Sequence, residues 1–366
     1  MADRHVPARE KLHADEARRG SAEPSMPTGR FYEACGLCAT GRSAAPPMLL
    51  HRFPEGGAVV IADVPLLLVD GHNLLFRACF GTPAQIMSRD PSGKRDLTTQ
   101  FMFFALLRKG INDEFGRWPE VTVVFDGQDG AAHRRDADPG YKADRPEDPA
   151  ALRPILALAD VKAGLDMHRI TWIEIDDAEA DDVIATLTAA AARGRDVLIA
   201  SMDQDYYQLL RDPGPDHGSV QVLNTAMRPG SRLIGPAEVT ARYGITPAQY
   251  PDFRALCGDT SDNIPGVRGI GAKTAAALLS GGLKLEDLHA SGRLSGSKGA
   301  AIMAAWPRVL TWRSMIQMRT SLPLPAWPTG AATTPLPIPA EVIARLGLWR
   351  RGTTLAAPAM AASREI

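Results

Sequence analysis

Four short apolar runs that each end in acid restrict the fold of this chain more than any other feature. Leu66–Val69 runs into Asp70, and Val121–Phe125 ("VTVVF") runs into Asp126. Arg169–Ile175 ("RITWIEI") leads into "DDAEADDVIATL", whose first seven positions hold Asp176, Asp177, Glu179, Asp181 and Asp182. Val197–Ser201 ("VLIAS") is followed by Asp203 and Asp205. Helical periodicity fills "LTTQFMFFALLRKGINDEF" and Asp181–Ala192, and Val220–Leu223 reads as a fifth strand. Strands alternating with helices imply an α/β domain with a mainly parallel sheet flanked by helices, over residues 65–235. The carboxyl ends of parallel strands share one edge, where ligands bind. Acids from Asp70 to Asp205 are therefore expected to meet in one cleft.

Such crowding has a chemical consequence. Like charges a few ångströms apart raise one another's pKa unless a cation sits among them. A solvated helix start also favours acid, but capping and the macrodipole need one or two carboxylates, not five. An oxygen-only cluster without His or Cys suits Mg²⁺ or Mn²⁺ rather than zinc. Two such ions together promote phosphodiester hydrolysis. General acid–base work alone would need only a pair of acids. The expectation is a metal-dependent phosphodiesterase with two Mg²⁺ ions, for which Mn²⁺ substitutes.

The bulk numbers narrow the partners. Net charge is −1, so polyanion binding must come from local patches or metal ions. The four cysteines make no disulfide framework, and Cys35–Cys38 lacks a second Cys or His pair at zinc-finger spacing. No run reaches the ~18 apolar residues of a membrane span. The charged first twenty residues exclude a secretory signal, so the expected location is cytoplasmic and no membrane partner is expected. Residues 1–64 read as a disordered extension. A Pro-, Ala- and Thr-rich tail is expected over 322–366, with a short helical candidate at Pro339–Leu348.

A second, helical unit is expected over residues 236–321. "CGDTSDNIPGVRGIGAKTAAALLSGG" (Cys257–Gly282) places Asp259 and Asp262 in a loop. Gly266, Gly269 and Gly271 then form a tight turn into the helix Lys273–Leu279. Glycines bring backbone N–H groups close to phosphate, and a helix N-terminus favours an anion. This is the pattern of a helix-hairpin-helix (helix-3-turn-helix) element, which grips DNA backbone without reading bases. Lys273 would add a charge beside it.

"LVDGHNLLFRA", "VVFDGQDG", "YKADRP", "EADDVIATL", "DQDYYQLL" and "GDTSDNIPGVRGIGAKTA" occur in that order between about Leu66 and Arg319. In these motifs the chain resembles the 5′-nuclease superfamily (PIN/5′-nuclease-like fold), most closely the 5′→3′ exonuclease domain of bacterial DNA polymerase I, akin to flap endonucleases. The resemblance implies that Asp70, Asp126, Glu179 and Asp181 ligate a first metal. It implies that Asp182, Asp203, Asp205, Asp259 and Asp262 form the second group, with some sharing between the sites. Arg77 matches a phosphate-contacting arginine. Residues 127–153 match the flexible arch that admits a free 5′ end. In it Arg134, Lys142 and Arg145 would hold the scissile phosphate, and Tyr141 would stack on a base. By composition alone that stretch is no basic patch, since Asp136, Asp138, Asp144, Glu147 and Asp148 offset its cations.

The implied activity is a Mg²⁺-dependent 5′→3′ exonuclease and structure-selective 5′-flap endonuclease. Its substrates would be DNA with 5′ ends, flaps or nicks, with RNA primers on DNA a further candidate. Polymerase and proofreading motifs do not occur, so a stand-alone nuclease is expected. Met202 replaces the small residue usual before Asp203, and Arg134 is doubled by Arg135. Two other readings compete. A PIN-type ribonuclease usually has neither arch nor helix-hairpin-helix. A non-catalytic DNA-binding homologue would have lost acids, and here none is lost.

Overall fold

The computed structural model describes residues 64–88, 94–143 and 152–349. The expected extension before Val64, the Cys35–Cys38 pair and Arg145 lie outside the described residues. The first half comprises β1 (Leu66–Asp70), α1 (Gly71–Phe80), α2 (Thr98–Glu114), β2 (Glu120–Asp126), α3 (Ala132–Ala137), α4 (Leu158–Met167), β3 (Thr171–Ile175), α5 (Ala180–Ala191), β4 (Val197–Ala200), β5 (Val220–Leu223) and β6 (Leu233–Ile234). The helical half comprises α6 (Pro236–Tyr243), α7 (Tyr250–Cys257), α8 (Ala272–Leu278), α9 (Leu285–Ala290), α10 (Gly296–Ala304) and α11 (Trp306–Ile316), followed by α12 (Pro339–Arg345).

The sheet order is β3-β2-β1-β4-β5-β6, with β1 to β5 parallel and β6 antiparallel at the edge. The expected parallel α/β sheet and the helical second unit are both present. β1 sits between β2 and β4, with Leu66 opposite both Glu120 and Val197. A strand covered on both faces must be apolar throughout, which is why "LLLV" shows no alternation. Leu67 and Val69 face a core with Leu75, Phe103, Phe104 and Phe125. Leu66 and Leu68 face the other, with Ile184, Leu187 and Ile199, which continues into Tyr250, Phe253, Val309 and Trp312 of the helical unit.

β1 runs directly into α1. Asp70 caps α1 by accepting the Asn73 N–H at 3.0 Å. A Cβ on Gly71 would stand 2.5 Å from the Phe125 ring, so only glycine lets α1 start against β2. β6 and α4 were not anticipated. β6 has only two residues, too few for a readable period.

The stretch expected as a tail is packed over Leu322–Trp349. Glu120 accepts the Thr329 N–H at 2.5 Å and the Gly330 N–H at 2.8 Å, and Arg195 pairs with it at 2.7 Å. The Thr333 N–H donates to Pro119 O, and Thr333 Oγ1 accepts the Val121 N–H, both at 2.9 Å. Leu336, Val342 and Leu346 are buried in the core beside α2. An extended strap is fastened through single backbone groups and has no apolar period, so its composition resembles a loose tail.

Candidate active site

The sheet brings the expected acids to one edge. Asp70 ends β1 and accepts Ser201 Oγ at 3.0 Å and Tyr206 OH at 3.3 Å. Burial, with Asp126 and Asp203 nearby, pushes its carboxyl up to about 7. Asp126 ends β2 and accepts the Ala180 N–H at 2.7 Å, which fixes the start of α5. Asp126 also lies 3.4 Å from His72 Nδ1. Glu179 stands just before α5 and meets Lys142 Nζ at 2.6 Å, Tyr141 OH at 3.2 Å and the Arg134 guanidinium. Burial alone would raise its pKa, but Lys142 and Arg134 more than offset that and hold it down at about 2.

Asp181 and Asp182 follow on the first turn of α5. Arg134 lies 3.0 Å from Asp181, yet burial, together with Asp182 and Glu179, pushes the Asp181 carboxyl up to about 7. Asp182 is 2% exposed and is held by Arg134 at 3.0 Å and Arg319 Nε at 2.7 Å. After β4, exposed Asp203 accepts the Asp205 N–H at 2.9 Å. Burial and the neighbouring Asp203, Asp262 and Asp259 drive Asp205 well above the carboxylate range. The helical unit contributes Asp259, paired with Arg254, and Asp262, whose carboxyl is raised by burial despite Lys142 at 3.8 Å.

The donor chemistry fits hard divalent cations. Asp70 and Asp205 carry pKa values raised by burial and like charge, and at Asp181 and Asp262 these outweigh Arg134 and Lys142. A hard cation with oxygen ligands would supply positive charge. Among the described residues no three His, Cys, Asp or Glu side chains form a ready-made metal cage. Glu179, Asp181 and Asp182 instead gather round Arg134, and Glu179 and Asp262 round Lys142, which supply positive charge at the Glu179 end.

Two of the arch residues, Arg134 and Tyr141, do not stand where the resemblance puts them. Arg134 is 5% exposed and lies among Glu179, Asp181 and Asp182 rather than facing solvent. A desolvated guanidinium needs anionic partners, and these acids are the ones in reach. Tyr141 is 2% exposed, with the Lys142 ammonium 4.7 Å from its ring centroid and its hydroxyl on Glu179. Its ring is covered, so as placed it has no free face for a base. Lys142 adopts φ 54°, and its N–H donates to Asp262 O at 3.2 Å, joining the arch base to the Asp259–Ile264 loop. Arg77 turns its guanidinium to Thr225, donating to the Thr225 carbonyl at 2.8 Å. Arg254, Arg319, Ser201 and Tyr206, which hold the acids, were not anticipated as site residues; Tyr206 lies in the motif "DQDYYQLL", whereas nothing local in the sequence marks Arg254 or Arg319.

The glycine turn is formed as expected. Gly266 has φ 66°, and a Cβ there would lie 2.4 Å from Gly258 N. Gly269 has φ 84°, whereas Gly271 precedes α8 at φ −89° with open space around it. Lys273 is exposed on α8, and Lys298 of α10 reaches Thr274 Oγ1 at 3.2 Å.

Comparison with known proteins identifies the family of the fold. The family model for the 5′-3′ exonuclease N-terminal, resolvase-like domain matches residues 65–244, and that for the 5′-3′ exonuclease C-terminal SAM fold matches residues 245–336. DNA polymerase I of Thermus aquaticus is 36% identical over 262 residues, 71% of this chain and 29% of that protein. DNA polymerase I of Deinococcus radiodurans is 40% identical over 219 residues, 58% of this chain and 20% of the other. The chain thus spans less than a third of these relatives' length. Among solved structures, the bacteriophage T5 D15 protein crystallised with metal ions superposes with a TM-score of 0.54 at 22% identity, over 69% of this chain and 88% of that one. The T5 flap endonuclease in complex with DNA and metal ions gives a TM-score of 0.54 at 20% identity, over the same shares. These likenesses establish the fold. With both of its family's domains matched in sequence order, the chain belongs to the 5′-3′ exonuclease family of nucleases.

Proposed function

We propose that this chain hydrolyses DNA phosphodiester bonds as a Mg²⁺-dependent 5′→3′ exonuclease and structure-selective 5′-flap endonuclease. The observation that carries the reading is the meeting of acids from β1, β2, α5 and the β4 end at one sheet edge, several with pKa values raised by burial and by one another. Asp70, Asp126, Glu179 and Asp181 would hold one ion, and Asp203, Asp205 and Asp262 the other. When bound, the ions would ionise the attacking water and steady the leaving oxygen.

The chain's own residues do the rest. Backbone amides between Gly266 and Lys273 would hold the duplex through its phosphates, independent of sequence. Lys142, at the arch base between Glu179 and Asp262, is close enough to the acids to neutralise an incoming scissile phosphate. Arg145 would help to hold the scissile phosphate, and Arg77 would add a further phosphate contact. DNA with 5′ ends, flaps or nicks is the proposed substrate class, and RNA primers on DNA extend it. The T5 neighbour's complex with DNA and metal ions supports this choice.

End-labelled flap, nicked and blunt duplexes, incubated with Mg²⁺ or EDTA, test the proposal. Flap cleavage near the junction and stepwise release from 5′ ends, both abolished by EDTA, are expected. Cutting confined to single-stranded RNA overturns the proposal in favour of a ribonuclease.

A further inference from the structure

We infer that Asp182 and Asp259 are positioning residues rather than metal ligands, each clamped by an arginine so that a neighbouring acid faces the cleft. The inference rests on the metal-site reading above and divides the acids that reading gathers.

Both carboxylates are already held, Asp259 by four hydrogen bonds and Asp182 by three. A carboxylate offers about four acceptor positions. Asp182 Oδ1 accepts the Arg319 N–H at 2.8 Å and Arg134 NH2 at 3.0 Å, while Oδ2 accepts Arg319 Nε at 2.7 Å. Asp259 Oδ1 accepts the Ser261 N–H at 2.9 Å and the Ser261 hydroxyl, while Oδ2 accepts Arg254 Nε at 2.9 Å and its NH2. Each residue is 2% exposed. Ligating an ion would break charge-assisted hydrogen bonds and strand a guanidinium that has already lost much of its water.

Their neighbours differ. Consecutive residues on a helix point about 100° apart, since a turn takes about 3.6 residues. Asp181 accordingly leaves 21% of its side chain exposed where Asp182 leaves 3%. Among the described residues Asp262 has only the Lys142 ammonium, at 3.8 Å, as an ion-pair partner. Each clamp therefore lies beside a more open acid: Asp181, which shares Arg134 with Asp182, or Asp262, which faces Lys142. Arg319 follows α11, so the Asp182 clamp ties the first turn of α5 to the end of the helical unit. The Asp259 clamp closes the loop that carries Asp262, which is also cross-linked by paired 2.7 Å hydrogen bonds between Asp259 and Ile264.

Calorimetric titration of Mn²⁺ into the full chain without DNA separates ligand from clamp. Asp181→Asn and Asp262→Asn should weaken binding at least tenfold or remove an ion. Asp182→Asn and Asp259→Asn should keep stoichiometry and stay within about threefold of wild-type affinity, while single-turnover cleavage slows. Arg319→Met leaves every acid in place, so it covers the case in which Asp182→Asn fails to fold. It should slow cleavage without altering Mn²⁺ affinity, and Arg319→Lys should restore part of the rate. The Asp182→Asn, Arg319→Met double variant should lose no more than the worse single one. A tenfold loss of Mn²⁺ affinity in Asp182→Asn or Asp259→Asn, or tighter binding in Arg319→Met, overturns the inference. Unchanged binding in both Asp181→Asn and Asp262→Asn instead overturns the metal assignment beneath it.

Discussion

Lys142 donates to Glu179 Oε1 across 2.6 Å, placing a cation of the arch base among the acids of the cleft. The pairing gives metal-free protein its own counter-charge at the Glu179 end. It would also make the arch base and the proposed ion sites compete for one set of carboxylates.

Replacing Lys142 should therefore have opposite effects on two measurements. Lys142→Met removes charge beside Glu179 and Asp262, so Mn²⁺ binding without DNA should tighten several-fold. Single-turnover cleavage should fall by roughly a hundredfold, since a charge poised for the phosphate is lost. Calorimetry and rapid-quench kinetics on one preparation decide the matter. Weaker Mn²⁺ binding would mean that the ammonium does not oppose the ions.

Asp181→Asn or Asp203→Asn should lower the cleavage rate by orders of magnitude while duplex affinity, measured in Ca²⁺, changes by a few-fold at most. Charge held by the ions is needed chiefly in the transition state. A near wild-type rate at saturating Mg²⁺ in either variant removes that residue from the ion sites.

The pH dependence follows from the raised carboxyls. Asp70 and Asp181 sit at about 7 in the fold against 3.8 as the ordinary value. A carboxyl raised by folding contributes stability that is fully present below about 3.8 and is lost as pH rises through about 7. Metal-free protein should thus lose part of its stability between those limits. Ions, which bind the ionised acids, should return it. The rise in melting temperature on adding Mn²⁺ should be larger at pH 8 than at pH 6, and an equal rise at both contradicts the assignment.

The glycine turn separates folding from binding. Gly266→Ala would force a Cβ to 2.4 Å from Gly258 N at φ 66°, so it should destabilise by roughly 1–3 kcal/mol or more. Gly271→Val meets open space at φ −89°, so melting should barely move. Its duplex affinity should nevertheless drop several-fold, because the side chain keeps phosphate from the backbone amides. Unchanged affinity would place the DNA elsewhere.

A chain ending at Ser321 should melt lower by roughly 10 °C or more. It loses buried Leu336, Val342, Ile343 and Leu346, each contributing roughly 1.5–3 kcal/mol before ordering costs. It also leaves Glu120 and Arg195 without their cover. Differential scanning fluorimetry of the two chains provides the check, and equal melting temperatures would mean that the strap adds nothing.

Local pattern alone made the sheet legible: all five parallel strands were read, each within a residue or two of its bounds, because a doubly covered strand must be apolar and short. The strap from Leu322 was not, since its hydrogen bonds to Glu120 and Val121 come from residues that carry no period. Tyr141 and Arg134 were assigned to the DNA on the strength of motif, yet both are buried around Glu179. A motif conveys which residues meet but not which way each side chain turns.

By itself, then, the sequence determined that acids from β1, β2, α5 and the β4 end share one edge, because parallel strands all point the same way. It also determined the glycine turn, whose positive φ at Gly266 and Gly269 is a local demand. Only the tertiary structure decided which acids remain available. Asp181 and Asp182 are adjacent and chemically identical, and what distinguishes them is Arg319, 137 residues away in sequence from Asp182. A carboxylate's role depends on the charge nearest it, and that charge arrives by long-range packing of the helical unit against α5.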